Sequence, residues 1–304
     1  MFGPKFAYLL NKNMNTFQSE FDVLKSVILK HPKEAFISVS TIEKQWKSLN
    51  YKSAPDLNKA MDEYEAFIEI LKRHKIEIHF LPENEKTGLD SVYVRDASIS
   101  CNAGMIICNM GKAAREDEPR AQQLFYKDRN IVINGVIVGE AKIEGGDVAW
   151  IDESTIAVAR GYRTNDTGIA RLKELLRDCA EKVIVVHSPH YKGPLDVFHL
   201  MSVFSPVNKD LAVVYSPLMT VSFREELLRR SIKLVEVPDN EFKTMGCNVL
   251  AIAPGVCIMT EGNPVTKSIL ESAGAEVFTY KGEEISSKGN GGPTCLTRPL
   301  VRVK

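Results

Sequence analysis

The chain has 304 residues, 44% hydrophobic and 26% charged, enough for a large core in one big domain or two smaller ones. Lysine plus arginine equals aspartate plus glutamate at 39 each, which offers no basic surface to nucleic acid or anionic membrane and no charge repulsion against a homo-oligomer. No apolar run approaches the roughly 20 residues of a membrane span, and the apolar patch at 6–10 lacks a signal-peptide core and cleavage site, so a cytoplasmic location is expected.

In chain order, helical spacing over 54–74 sets Leu57, Met61, Tyr64, Phe67, Ile68 and Leu71 on one face. A strand at 76–81 follows. Paired strands are predicted at 91–100 and 104–110, joined by Asn102-Ala103-Gly104, then a helix at 118–127 and a short β stretch at 131–133. The same order returns with strands 143–150 and 154–160, helix 166–181 and strand 183–186. It returns again with 197–204, 210–215, helix 222–230 and strand 233–237, and finally with 248–253, 256–260, helix 263–273 and strand 276–280. A unit of two strands, a helix and a strand thus recurs roughly every 45 to 60 residues without sequence identity between copies. Five units fit if the last shares strands with the first. The predicted class is α/β, a single domain over 1–304. The units are arranged as a closed α/β propeller with strands inside and helices outside; a doubly wound sheet is the alternative that the pattern allows.

Six cysteines (101, 108, 179, 247, 257 and 295) form no CxxC pair and no zinc spacing. No disulfide framework, metal or cofactor is expected. Four segments combine polar groups with strand or turn context. Asp90 and Asp96 end an alternating stretch and are expected to share one strand face. Glu144-Gly145-Gly146-Asp147 has two glycines that let the backbone approach a ligand or another strand, with acids on both sides. His199 stands alone in an apolar strand candidate. Cys295 follows the glycine-rich Gly289-Asn290-Gly291-Gly292-Pro293-Thr294. Taken singly, each has a plain structural explanation: a satisfied histidine, a surface Arg95–Asp96 ion pair, a tight turn, a loop. Their order and residue types together argue for chemistry.

The set resembles the guanidine-modifying enzymes of the pentein fold, which include dimethylarginine dimethylaminohydrolases, arginine deiminases and amidinotransferases. The resemblance runs from 19–29, similar to the family's first strand, through Asp90 to Asp96, Glu144 to Asp147, Arg163-Thr164-Asn165 and His199 to Gly291-Gly292-Pro293-Thr294-Cys295. It implies a five-fold pseudosymmetric α/β propeller and a small guanidino substrate. It also implies roles. Asp96 and Glu144 would grip the guanidinium, since a carboxylate accepts two N–H bonds in fork geometry. Cys295 would attack the guanidinium carbon as a thiolate, favoured by the bound cation. His199 would protonate the leaving amine and then activate water. Arg163 and Arg115 would bind the substrate carboxylate, with Arg120 a neighbour of the latter. Asp90 would be a further substrate contact, and Asp147 would support its loop. By analogy, residues 1–20, with Phe17 and Gln18, are a candidate lid.

Deiminases and amidinotransferases carry an acid two residues after the histidine; here that position is Met201. An apolar side chain leaves an unsubstituted guanidinium N–H unpaired, at a cost of about 1–3 kcal/mol, but accepts N-methyl groups. The Asp-Ser-x-aromatic-Val-x-Asp run from Asp90 is also similar to that of dimethylargininases. Against this, the segment after Gly291 and the Arg95-Asp96 pair are deiminase-like. The expected reaction is hydrolysis of an Nω-methylated arginine to citrulline and a methylamine through a thiouronium on Cys295. The alternatives are an arginine deiminase or another ω-substituted guanidine hydrolase, then an amidinotransferase, then a non-catalytic pentein binding protein.

Overall fold

Every sheet in the molecule begins with an antiparallel pair and ends with a parallel strand. A computed structural model describes residues 15, 16, 18–196 and 198–304. The strands are β1 (Asn15–Thr16), β2 (Val23–Leu29), β3 (Glu77–Phe80), β4 (Ser98–Cys101), β5 (Gly104–Ile107), β6 (Ile133–Val136), β7 (Val148–Trp150) and β8 (Thr155–Arg160). They continue with β9 (Lys182–His187), β10 (Phe204–Asn208), β11 (Leu211–Val214), β12 (Lys233–Glu236), β13 (Leu250–Ala253), β14 (Val256–Thr260), β15 (Glu276–Tyr280) and β16 (Arg298–Val303). Four sheets are three-stranded, β4-β5-β6, β7-β8-β9, β10-β11-β12 and β13-β14-β15, and the fifth is β1-β16-β2-β3. In each, a helix makes the crossover between the parallel strands, as that connection demands. Strand β16 pairs antiparallel with β2, and β2 pairs parallel with β3. The last strand therefore completes the first unit. This is the five-fold α/β propeller, not a doubly wound sheet.

The helix Leu57–Arg73 illustrates a unit's outer layer. The Asp56 carboxylate caps it by accepting from Lys59 N at 3.1 Å. Ala60, Tyr64, Phe67, Ile68 and Leu71 are buried on one face and pack with Val27 and Leu29 of β2 in one core cluster. In strand β2 residues 26–29 are all buried, covered on both faces, while Lys25 is exposed.

Several sequence-based boundaries are corrected. Residues 91–97 are not strand: Leu89–Val92 form a 3₁₀ turn and β4 starts at Ser98. All residues from Leu89 to Ser100 are buried, so alternation there carried no information about faces. His199 is not in a strand but precedes the 3₁₀ turn Leu200–Ser202, its N–H donated to Ser202 Oγ at 3.1 Å. Gly145–Asp147 is likewise a turn before β7. The stretch expected at 131–133 lies at Ile133–Val136, where it pairs with β5 from Met105 onward. Helix 166–181 ends at Leu175. Residues 1–14 and 17 of the expected lid lie outside the described residues. The Gln18 amide donates to the carbonyls of Glu153 and Cys179, at 2.6 and 2.8 Å, and Gln18 lines neither of the cavities described below. Among the described residues no helix is long and apolar enough to cross a membrane.

Candidate active site

Each unit delivers one polar side chain from the segment just before its antiparallel pair. Asp96 precedes β4, Glu144 precedes β7, His199 precedes β10, Asn248 precedes β13 and Cys295 precedes β16. Each stands two to five residues before its strand, on the corresponding segment of its unit, and the repeat brings these segments together.

At the centre, His199 Nε2 lies 2.7 Å from Glu144 Oε2, and its Nδ1 lies 3.9 Å from Asp96 Oδ1. All three residues are buried. Burial alone would lower the His199 pKa. The carboxylates of Asp96, Asp147 and Glu144 outweigh it and raise the value to about 9. Glu144 moves the other way. Burial opposes its charge, but the His199 hydrogen bond and the charges of His199, Arg163 and Arg115 hold its pKa below the usual range. These opposite shifts favour an imidazolium–carboxylate pair at the centre.

Asp96 is fixed from two sides. Its Oδ1 accepts from Gly146 N at 2.9 Å and its Oδ2 from Arg115 Nη1 at 2.5 Å. The glycine is required here, because a Cβ on Gly146 would sit 2.6 Å from both Asp96 Oδ1 and His199 Nδ1. Glu144 Oε1 accepts from Lys112 N at 2.9 Å. Asp147 accepts from Thr164 Oγ1 and Leu200 N, and burial pushes its pKa up to about 6. Its contacts tie the Gly145–Asp147 turn to the neighbouring segments.

Cys295 Sγ accepts from Asn248 Nδ2 at 3.2 Å. Burial raises its thiol to about 11, and the Asp96 charge adds to the rise. The hydrogen bonds from Asn248 and Gly292 N, and the Arg95 charge, restrain it. Asn248 also accepts from Thr294 N at 3.0 Å. One amide thus shapes the nucleophile's loop and solvates its sulfur. Gly291 lets the same loop press on Tyr93, where a Cβ would meet the ring at 2.4 Å.

An inner cavity of about 20 Å³ is lined by Asp90, Asp96, Lys112, Arg115, Arg163 and, beside the thiol, His199 and Cys295. The structure therefore brings every sequence-predicted site residue to one cavity wall except Glu144, which lies directly behind His199. Their bonding differs. Arg115 spends four of its five N–H groups on Glu118, Asp96 and the Tyr93 carbonyl. Arg163 donates to the Asp196 carbonyl at 3.1 Å and stands 3.7 Å from Glu144, while its Nε has no hydrogen-bond partner. Lys112, missed in the sequence, bridges Asp90 (2.5 Å) and the Leu49 carbonyl (3.1 Å). Arg95 turns away from Asp96 to a buried pair with Glu20 at 2.6 Å, so the surface-pair explanation of Arg95–Asp96 is corrected.

Ligating atoms of Asp96, Glu144 and His199 lie within 4.8 Å of one another, a set that could also hold a metal ion. The three residues come from three units, so no local spacing announces them. A second cavity, lined by Met201, Asn248 and other residues, meets the inner one at His199, Asn290 and Cys295.

A family model described as N,N dimethylarginine dimethylhydrolase, eukaryotic, matches residues 32–302. The uncharacterized protein YkgA of Bacillus subtilis (strain 168) is 28% identical over 288 residues, covering 94% of each chain. An arginine deiminase of Listeria welshimeri is 26% identical over 249 residues; that match takes in 69% of this chain and only 61% of the deiminase. Among solved structures, DDAH from Pseudomonas aeruginosa, a mutant complexed with citrulline, superposes with a TM-score of 0.75 at 20% identity, covering 91% of this chain and all of that one.

Proposed function

The chain belongs to the dimethylarginine dimethylhydrolase family, and from that premise we propose that it hydrolyses an Nω-methylated arginine to citrulline and a methylamine, acting as one catalytic domain. Members of this group are C–N hydrolases of linear amidines, and the coarse activity follows from membership. The substrate choice rests on Met201. It is 3% exposed and lines the cavity that also touches His199 and Cys295. An apolar wall at that point favours a methylated over a bare guanidinium nitrogen.

In this reading the planar cation lies against the Asp96 carboxylate, while Glu144, off the cavity wall, holds His199. The cation's charge offsets the Asp96 field that raises the Cys295 thiol, so substrate binding itself favours the thiolate. The Sγ–Cζ bond forms and the Cζ–Nω bond breaks, with the His199 proton passing to the departing amine. Water then adds to Cζ, His199 takes its proton, the Sγ–Cζ bond breaks and citrulline leaves. Arg163, with an unused buried Nε, and Lys112 receive the substrate carboxylate. Asp90 faces its amino end. Arg115 acts mainly by holding Asp96.

Arginine deiminase is the second reading, favoured by the similarity to the Listeria welshimeri enzyme. A citrulline assay with asymmetric dimethylarginine and arginine in parallel separates the two, with Cys295→Ser as control. We expect citrulline from the methylated substrate and none from the variant. Citrulline mainly from arginine would overturn the role given to Met201.

A further inference from the structure

The second cavity is larger than methyl groups need. It has a volume of about 260 Å³, against about 20 Å³ for the inner one. Met201 lines it together with His199 and Cys295. Farther out an aromatic cluster continues it, with Tyr191 ring centroids 5.8 Å from Phe198 and 6.3 Å from Phe242.

Lys52, Lys192 and Lys243 also line this cavity, and Asp196 is the one acid among its lining residues. Among the described residues no ion pair involves these three lysines, and Lys192 Nζ lies over the Tyr191 ring, 5.0 Å from its centroid. Burial and the neighbouring Lys192 charge lower the Lys52 pKa, so these two ammonium groups feel one another. Three lysines thus line one aromatic-walled cavity against a single acid. They suit an anion.

We propose that this outer cavity receives the leaving-amine portion of the substrate, and that it favours an ω-substituent ending in a carboxylate: an Nω-(carboxyalkyl)arginine. The inference rests on the guanidine-hydrolase reading above. The inner cavity holds the amino-acid end. The ω-substituent runs past Met201, and its carboxylate meets the lysines. The chemistry balances as before: Sγ–Cζ forms, Cζ–Nω breaks, and His199 gives its proton to an amine that is now an amino acid. Water then releases citrulline.

The test compares Nω-(2-carboxyethyl)arginine with Nω-propylarginine, a neutral substituent of the same chain length. With ammonium groups at a partly solvated rim, we expect roughly a five- to tenfold advantage in kcat/KM for the acid. It should shrink as salt is raised and approach unity in the Lys52→Gln/Lys192→Gln/Lys243→Gln triple variant, whose thermal melt checks its folding. Equal or better use of the neutral compound overturns the proposal, as does a preference that survives in the triple variant. Calorimetric binding of both compounds to Cys295→Ser reads the same ratio without chemistry. If no arginine derivative yields citrulline, the hydrolase reading falls, and the binding ratio alone decides whether the cavity selects an anion.

Discussion

Cys295 starts from a protonation state that opposes attack, a thiol raised to about 11, whereas His199, raised to about 9, already carries the proton that the leaving amine needs. Alkylation of Cys295 in the free protein should therefore accelerate with pH across the alkaline range. An unreactive guanidinium small enough to leave the sulfur open should move that rise to lower pH. The imidazolium must donate its proton, so deprotonation removes activity. A raised histidine pKa keeps the proton until pH approaches about 9, and the bound cation lowers that limit. We expect kcat to fall on the alkaline side at or below pH about 9, as a pH–rate profile would read. Asn248→Ala removes the amide donor at Sγ. The loss of one hydrogen bond to a charged group, about 1.4 kcal/mol, should slow Cys295 alkylation and kcat about tenfold. Asp96, Glu144, His199 and Cys295 were legible because reactive residue types stood beside glycines or in a recognisable order. Asn248 and Lys112 were not, since a neutral amide and a common lysine carry no motif. The position just before each unit's strand pair would have pointed to Asn248.

Among the elements, helices were read well because their burial is one-sided and periodic, and the second strands because they are short, wholly or nearly wholly buried apolar runs bounded by turns. The segments before the first strands were misread as strand. They are buried all round, and turns there are what aim Asp90 and His199 at the cavity. Helix Pro264–Ser272 depends on a contact no periodicity reveals. Glu241, 2% exposed, accepts from Val265 N at 2.7 Å and Thr266 N at 2.8 Å, capping the helix from another segment. Glu241→Ala should cost about 2–3 kcal/mol and lower Tm by several degrees in a calorimetric scan. No described residue of this helix lines either cavity. Turnover well below the melt should therefore be retained, which separates stability from chemistry.

For the whole molecule, the five-unit repeat was visible in the order of elements, and the shared first sheet was expected. The sequence could not show how β16 is fastened. Arg298 donates to the Ser98 carbonyl at 2.9 Å and Arg302 to that of Ala251, also at 2.9 Å. The last strand thus binds two other units beyond its own sheet. Removing residues 298–304 should abolish cooperative melting, not merely trim an end, as calorimetry of the shortened chain would show. Strand β16 also lies between β1 and β2, which are separated from it by most of the chain. Closing so long a loop is entropically slow to be repaid, and until it closes, one edge of β2 stays unpaired. Because Cys295 stands three residues before that strand, the nucleophile is the last site residue in chain order, and its seating should wait on that closure. A nascent or partly unfolded chain would hold its acids and histidine without a positioned thiol, so catalytic competence should arrive in one late step of folding.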